Sequence, residues 1–223
     1  MSFIAASGDM AQPVDVAKPR ASLKSRIVSA IVLAPFVLGA VYAGSIAFDL
    51  LVGLAVLIMA WEWQRLCGKG NFGSLGVFFG AITLVAVALT SLNFIVEAMA
   101  LVLAGAAVAA VWGMRILHEA GKWIAAGVIA VGLTGIALVW VRNDANGLSI
   151  TIWFLLAVWA TDIAAFFAGR AIGGPKLAPS ISPGKTWAGL IGGILGSFAW
   201  SIGWALWTDA GQPGTLAALG IAA

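Results

Sequence analysis

SITIWFLLAVWATDIAAFFAG, residues 149–169, holds one charged residue in 21 positions. A helix that crosses a bilayer needs about 20 mostly apolar residues. This stretch meets that length, with Asp162 as its single exception. Working outward, further apolar runs occupy about 27–44, 46–64, 74–92, 95–114, 123–141 and 188–207. The breaks at 44–45, 68–73, 91–93, 115–122, 142–147, 169–185 and 209–213 carry the Gly, Pro, Asn or charge of connections. Residues 214–223 turn apolar again but are too short to span. The pattern predicts an all-α, polytopic transmembrane bundle with about seven full spans and the start of an eighth.

Composition agrees. The chain is 62% apolar and 9% charged, against about 45–50% and about 25% for soluble domains. A soluble fold could not cover its surface with so few charges. Residues 1–26 are polar, contain Pro13 and Pro19 and lack apolar periodicity. They read as a mobile cytoplasmic tail, with 27–223 as one membrane domain, incomplete at its C-terminus. The run at 27–42 follows a basic segment, as a secretory signal does. At about 16 residues it exceeds the usual signal core, and another apolar run follows at once, so an uncleaved first helix is expected.

Basic residues orient the bundle. With the N-terminus inside, Lys18, Arg20, Lys24, Arg26, Arg65, Lys69, Arg115, Lys122, Arg170, Lys176 and Lys185 share the cytoplasmic side. Only Arg142 faces out, so 11 of the 12 cations obey the positive-inside rule. Trp123 and Trp140 bracket the fifth run as interfacial belt residues do. In the seventh run, Gly189-x-x-x-Gly193 and Gly192-x-x-x-Gly196 predict close helix packing. Cys67 and His118 are single residues of their kinds. They exclude an internal disulfide, a CxxC motif and an ordinary zinc site. No nucleic-acid partner is expected.

Two features carry chemistry. The connection GRAIGGPKLAPSISPGKT, 169–186, is long, holds three cations and no acid, and is expected to be a structureless loop. Its Lys and Arg charges, glycine N–H groups and hydroxyls suit polyphosphate. The same cations would also serve topology and lipid headgroups. A P-loop is excluded, because Pro179 stands where the first motif glycine belongs. The second feature is Asp162, eight residues before Arg170 and so roughly 12 Å inside that helix end. A carboxylate at such depth needs a partner or a purpose. The choices are a metal, a proton or ion path, or an Arg on a neighbouring helix. Glu62 and Arg65, at i and i+3, are expected to pair locally. Asp49 and Glu97 are expected to be solvated near outer ends, and Glu119, Asp144 and Asp209 fall in loops.

Within 159–193 stand Trp159-Ala160-Thr161-Asp162, Ala168-Gly169-Arg170, Lys176-Leu177-Ala178-Pro179 and Ser182-Pro183-Gly184-Lys185-Thr186-Trp187-Ala188-Gly189. This block closely resembles the bacterial phosphatidate cytidylyltransferases, also called CDP-diacylglycerol synthases. Leu23-Lys24-Ser25-Arg26-Ile27, Pro35 and Trp61-Glu62-Trp63 add a looser likeness. Two departures stand out. Ala188 replaces the family's Glu before the glycine, and the family's later signature, with its Lys-Asp pair and closing Asp-Arg-x-Asp, does not appear. The resemblance therefore implies a C-terminally truncated member, with low activity expected.

The resemblance implies a multi-pass enzyme of the bacterial inner membrane, with CTP and phosphatidate as substrates and CDP-diacylglycerol and pyrophosphate as products. Mg²⁺ is the implied cofactor. Asp162 would be the catalytic and metal-binding residue and Lys185 its catalytic partner. Arg170, Lys176, Ser182 and Thr186 would bind substrate. A second copy of the chain is a candidate partner. Two rivals stay open: an ion-coupled transporter using Asp162, and a non-catalytic membrane fragment.

Overall fold

The computed structural model describes residues 23–67, 73–118 and 121–208. Most of the expected tail, Lys69, Glu119, Asp209 and the eighth apolar run lie outside them. Seven helices are described: α1 (Leu23–Ala43), α2 (Ser45–Cys67), α3 (Ser74–Ser91), α4 (Ile95–Leu117), α5 (Gly121–Arg142), α6 (Gly147–Ala171) and α7 (Trp187–Trp207). Six of them, α2 to α7, are long and apolar enough to cross a membrane. In α1 the apolar stretch with described side chains is shorter, Val32–Ala43. The coarse expectation of a helical membrane protein stands, with six candidate spans among the described residues. The chain divides into two compact units, 1–36 and 37–223. The second unit contains the C-terminal part of α1 and all of α2 to α7.

The core of this second unit gathers apolar side chains from α2 to α5, valine and alanine most often. Val52, Val56, Phe79, Val102, Val128 and Val139 are buried there. Glycines let these helices close up. A Cβ at Gly132 would strike Val102, and one at Gly135 would press on Val56 and Val87 at 3.0 Å. Lipid tails are as apolar as the side chains, so such packing, not transfer from water, holds membrane helices together. Hydroxyls within this core are satisfied locally. Thr83 donates to Phe79 O at 3.1 Å and Thr90 to Ala86 O at 2.8 Å, as apolar surroundings require.

Arg142, the single cation expected outside, has a structural role. Its Nε donates to Val41 O at 2.7 Å, and it reaches Tyr42 O at 3.4 Å. It thereby caps the C-terminal carbonyls of α1, which have no helical partner. Gly44 makes the turn into α2 at φ +62°, where a Cβ would strike the Arg142 guanidinium. Arg142→Ala is expected to cost about 1–3 kcal/mol, the scale of a charge-assisted hydrogen bond and its stranded acceptor. Thermal unfolding of the detergent-solubilised chain reads this, and an unchanged midpoint would contradict the cap.

Three expectations need correction. Residues 169–186 are not structureless. Helix α6 runs on to Ala171, and two antiparallel strands follow, β1 (Lys176–Ala178) and β2 (Ser182–Thr186). Lys176 pairs with Thr186 and Ala178 with Ser182. Gly173 and Gly174, at φ +67° and +86°, make the turn out of α6, a region L side chains rarely enter. Second, Glu62 and Arg65 form no ion pair. The Arg65 guanidinium sits 4.7 Å from the Trp61 ring centroid, because a cation–π contact at i, i+4 keeps it over an apolar face. Third, Asp49 is not simply solvated. It is half-buried, and its Oδ1 is out of solvent with no hydrogen-bond partner.

Candidate functional site

Helices α6 and α7 pack on each other far more than α6 packs on α5. The predicted glycine motifs are the reason. Gly192 and Gly196 lie where a Cβ would collide with Ala168 and Ala164. A Cβ at Gly189 would stand 3.1 Å from Ala165 O, and one at Gly193 would stand 3.2 Å from Thr161 O. Two backbones at such range form a seam whose flanking large side chains rise as walls. On α6 the walls recur every four residues, at Phe154, Val158, Asp162, Phe166 and Arg170. On α7 they recur at Leu190, Ile194 and Phe198. That four-residue step is one face of a helix. The result is a groove of about 1260 Å³ that the β1–β2 hairpin borders at one end through Leu177, Gly184 and Lys185.

The polar groups collect at the hairpin end. Asp162, Arg170, Lys185 and Thr186 all line the groove, and the first three are exposed to it. Asp162, Phe166 and Arg170 stand on successive turns. The Arg170 guanidinium leans over the Phe166 ring at 6.0 Å and makes no ion pair with Asp162. Asp162 has no ion-pair partner among the described residues, so of the choices open to it the Arg on a neighbouring helix is not found there. Two cations and one carboxylate thus face a common space without neutralising one another. Such a mouth can take phosphate oxygens on its cations and a divalent ion on its carboxylate.

The other expected residues are placed differently. Thr186 is buried, and its Oγ1 accepts from Gly189 N at 3.1 Å as the N-cap of α7. That bond fixes where the glycine seam begins. Lys176 and Ser182 sit on the hairpin but do not line the groove. Ala188, in the first turn of α7, is half-buried. Sequence reasoning passed over Thr161, Ser197 and Ser201, which bring hydroxyls to the groove walls and seam. Ser197 and Ser201 are spaced i, i+4 with Gly189 and Gly193. A helical-face reading of α7 would have found them. Thr161 donates to Ala157 O at 2.8 Å and so is spent within α6. Among the described residues no group of three or more His, Cys, Asp or Glu could hold a metal by itself.

The family model described as "Cytidylyltransferase family" matches residues 24–223. The phosphatidate cytidylyltransferase of Brucella suis biovar 1 (strain 1330) is 39% identical over 184 residues, covering 80% of this chain and 66% of its own. That of Pseudomonas aeruginosa is 35% identical over 189 residues, covering 77% and 66%. That of Bacillus subtilis (strain 168) is 36% identical over 74 residues, covering 33% and 28%. The chain thus spans just under two thirds of the Brucella and Pseudomonas relatives' length. No solved structure matches it.

Proposed function

Because the chain belongs to the cytidylyltransferase family, we propose that it performs cytidylyl transfer from CTP to phosphatidate in phospholipid synthesis. The observation that carries this reading is the groove: Asp162, Arg170 and Lys185 share one mouth, and apolar walls run from it along two candidate spans. A polar nucleotide and a lipid phosphate need such a junction in order to meet. In the reaction an oxygen of the lipid phosphate attacks the α-phosphorus of CTP. The bond from that phosphorus to the oxygen bridging to the β-phosphate breaks, and pyrophosphate leaves with the electron pair. The nucleophile comes from substrate, so no side-chain nucleophile is required.

This chain's residues would then align and neutralise. Lys185 and Arg170 hold phosphate oxygens, and the hairpin sets the distance between them. Asp162 is the residue that would hold Mg²⁺, which supplies charge neutralisation at the phosphates when bound. One carboxylate suits Mg²⁺ where substrate phosphates complete its shell, and an unpaired, exposed Asp162 fits that demand. Orientation follows the cations. Arg65, Arg115, Lys122, Arg170 and Lys185 stand at alternating helix ends that a cytoplasmic N-terminus would bring to one side of the bacterial inner membrane.

CTP titration of the purified chain, with and without Mg²⁺, tests the reading. Saturable binding that Mg²⁺ tightens, with the Mg²⁺ effect lost in Asp162→Asn, is expected. No saturable CTP binding, with Asp162-dependent ion flux in vesicles, would instead establish transport. Turnover should be low, because Asp162 is the one carboxylate among the described groove-lining residues. Membranes given labelled CTP, phosphatidate and Mg²⁺ should form far less CDP-lipid than membranes carrying the full-length Pseudomonas relative. Equal rates would mean that a single groove carboxylate suffices.

A further inference from the structure

The groove does not run the length of its two helices. On α6 its lining ends at Trp153, six residues short of Gly147. On α7 it ends at Ser201, six residues short of Trp207. Both helices continue beyond these residues. At this level the Trp200 indole N–H donates to Trp153 O at 3.2 Å and ties α7 to α6. Trp200 in turn rests on Trp204, their ring centroids 5.7 Å apart. The lining also changes character here. Ser201 is buried, and the Trp153 Nε1 is buried without a hydrogen-bond partner.

We infer that Trp153, braced by Trp200, is the floor of a hydrocarbon ruler that sets which acyl-chain lengths the groove accepts. The inference rests on the phosphatidate reading and deepens it. Charge fixes one end of the ligand, because Lys185 and Arg170 at the mouth attract a lipid phosphate. The chain then lies along Val158 and Ile194 towards Trp153. From Arg170 to Trp153 is 17 residues of helix, about 25 Å. Bilayer tails are as apolar as these walls, so entry of a chain gains little by transfer. Discrimination must come from fit. A chain too long crowds the floor, and one too short leaves wall atoms without contacts.

The test offers the purified full chain an equimolar set of phosphatidates of graded chain length in excess phosphatidylcholine. Native mass spectrometry then identifies the lipids retained. The unmodified chain should retain phosphatidates up to a length limit. Trp153→Ala should raise the ratio of longer to shorter species by about tenfold, the scale of relieved overpacking. Ser197→Phe, one turn above the floor, should shift retention towards shorter species. If Trp153→Ala does not fold, Ser197→Phe decides alone. Lys185→Ala serves as the mouth control and should lower total retention without changing the length profile. An unchanged profile in the floor variants, with phosphatidate still retained through Lys185, overturns the ruler and leaves the substrate reading intact. No preference of the unmodified chain for phosphatidate over phosphatidylcholine overturns both.

Discussion

Lys185→Ala lowers CTP affinity by about tenfold to a hundredfold, the worth of one hydrogen bond to a charged group. Lys176→Ala, in the same hairpin, changes it by no more than about twofold, as expected of an exposed charge in high dielectric. The contrast follows from geometry. Both lysines are exposed and lie on neighbouring strands, but only Lys185 faces the groove. If the hairpin merely supplied a diffuse positive field, the two substitutions would act alike, and added salt would erase both effects. Isothermal titration at two ionic strengths separates these cases. Equal losses in the two variants would reduce the mouth to general electrostatics. Arg170→Ala should resemble Lys185→Ala, because the guanidinium lines the same groove without an ion pair to Asp162 and stays available to phosphate.

Much of this arrangement was legible in the sequence because it depends on period and length. Helices α2 to α7 fall on the apolar runs to within a few residues, since one polar residue in 20 is readable without tertiary knowledge. The Gly192 and Gly196 contacts were legible for the same reason: a four-residue spacing of small residues has one structural use in an apolar helix. The hairpin was not. Lys176–Ala178 and Ser182–Thr186 are three and five residues long, and the second carries Pro183 and Gly184. Their pairing is decided by where α6 ends and α7 begins. Thr186 shows the same limit, for a hydroxyl beside cations reads as a ligand until its bond to Gly189 N is seen. Arg65 took Trp61 over Glu62 because i+4 and i+3 neighbours compete, and spacing alone does not rank them. Asp162 and Lys185 are 23 positions apart, and the glycine seam that brings them to one groove is a property of the helix pair.

That seam makes Gly196→Leu a strongly damaging change at the site. A Cβ at 196 would collide with the Ala164 side chain and lie 3.0 Å from Ala160 O, which is backbone and cannot yield. Two forces oppose each other here. A larger residue improves helix propensity by about 1 kcal/mol relative to glycine. Overpacking costs about 1–3 kcal/mol, and more where the obstacle is rigid. At Gly196 the second should win, and α6 and α7 should part. The seam and the groove mouth share those two helices, so CTP binding should fall together with thermal stability. Gly203 supplies the control on the same helix. Nothing lies within 4 Å of a Cβ there, so Gly203→Leu keeps only the propensity gain and should leave binding and unfolding temperature unchanged or slightly raised. Gly196→Leu with normal CTP affinity would mean that the mouth does not depend on the seam, and the hairpin alone would have to position Lys185.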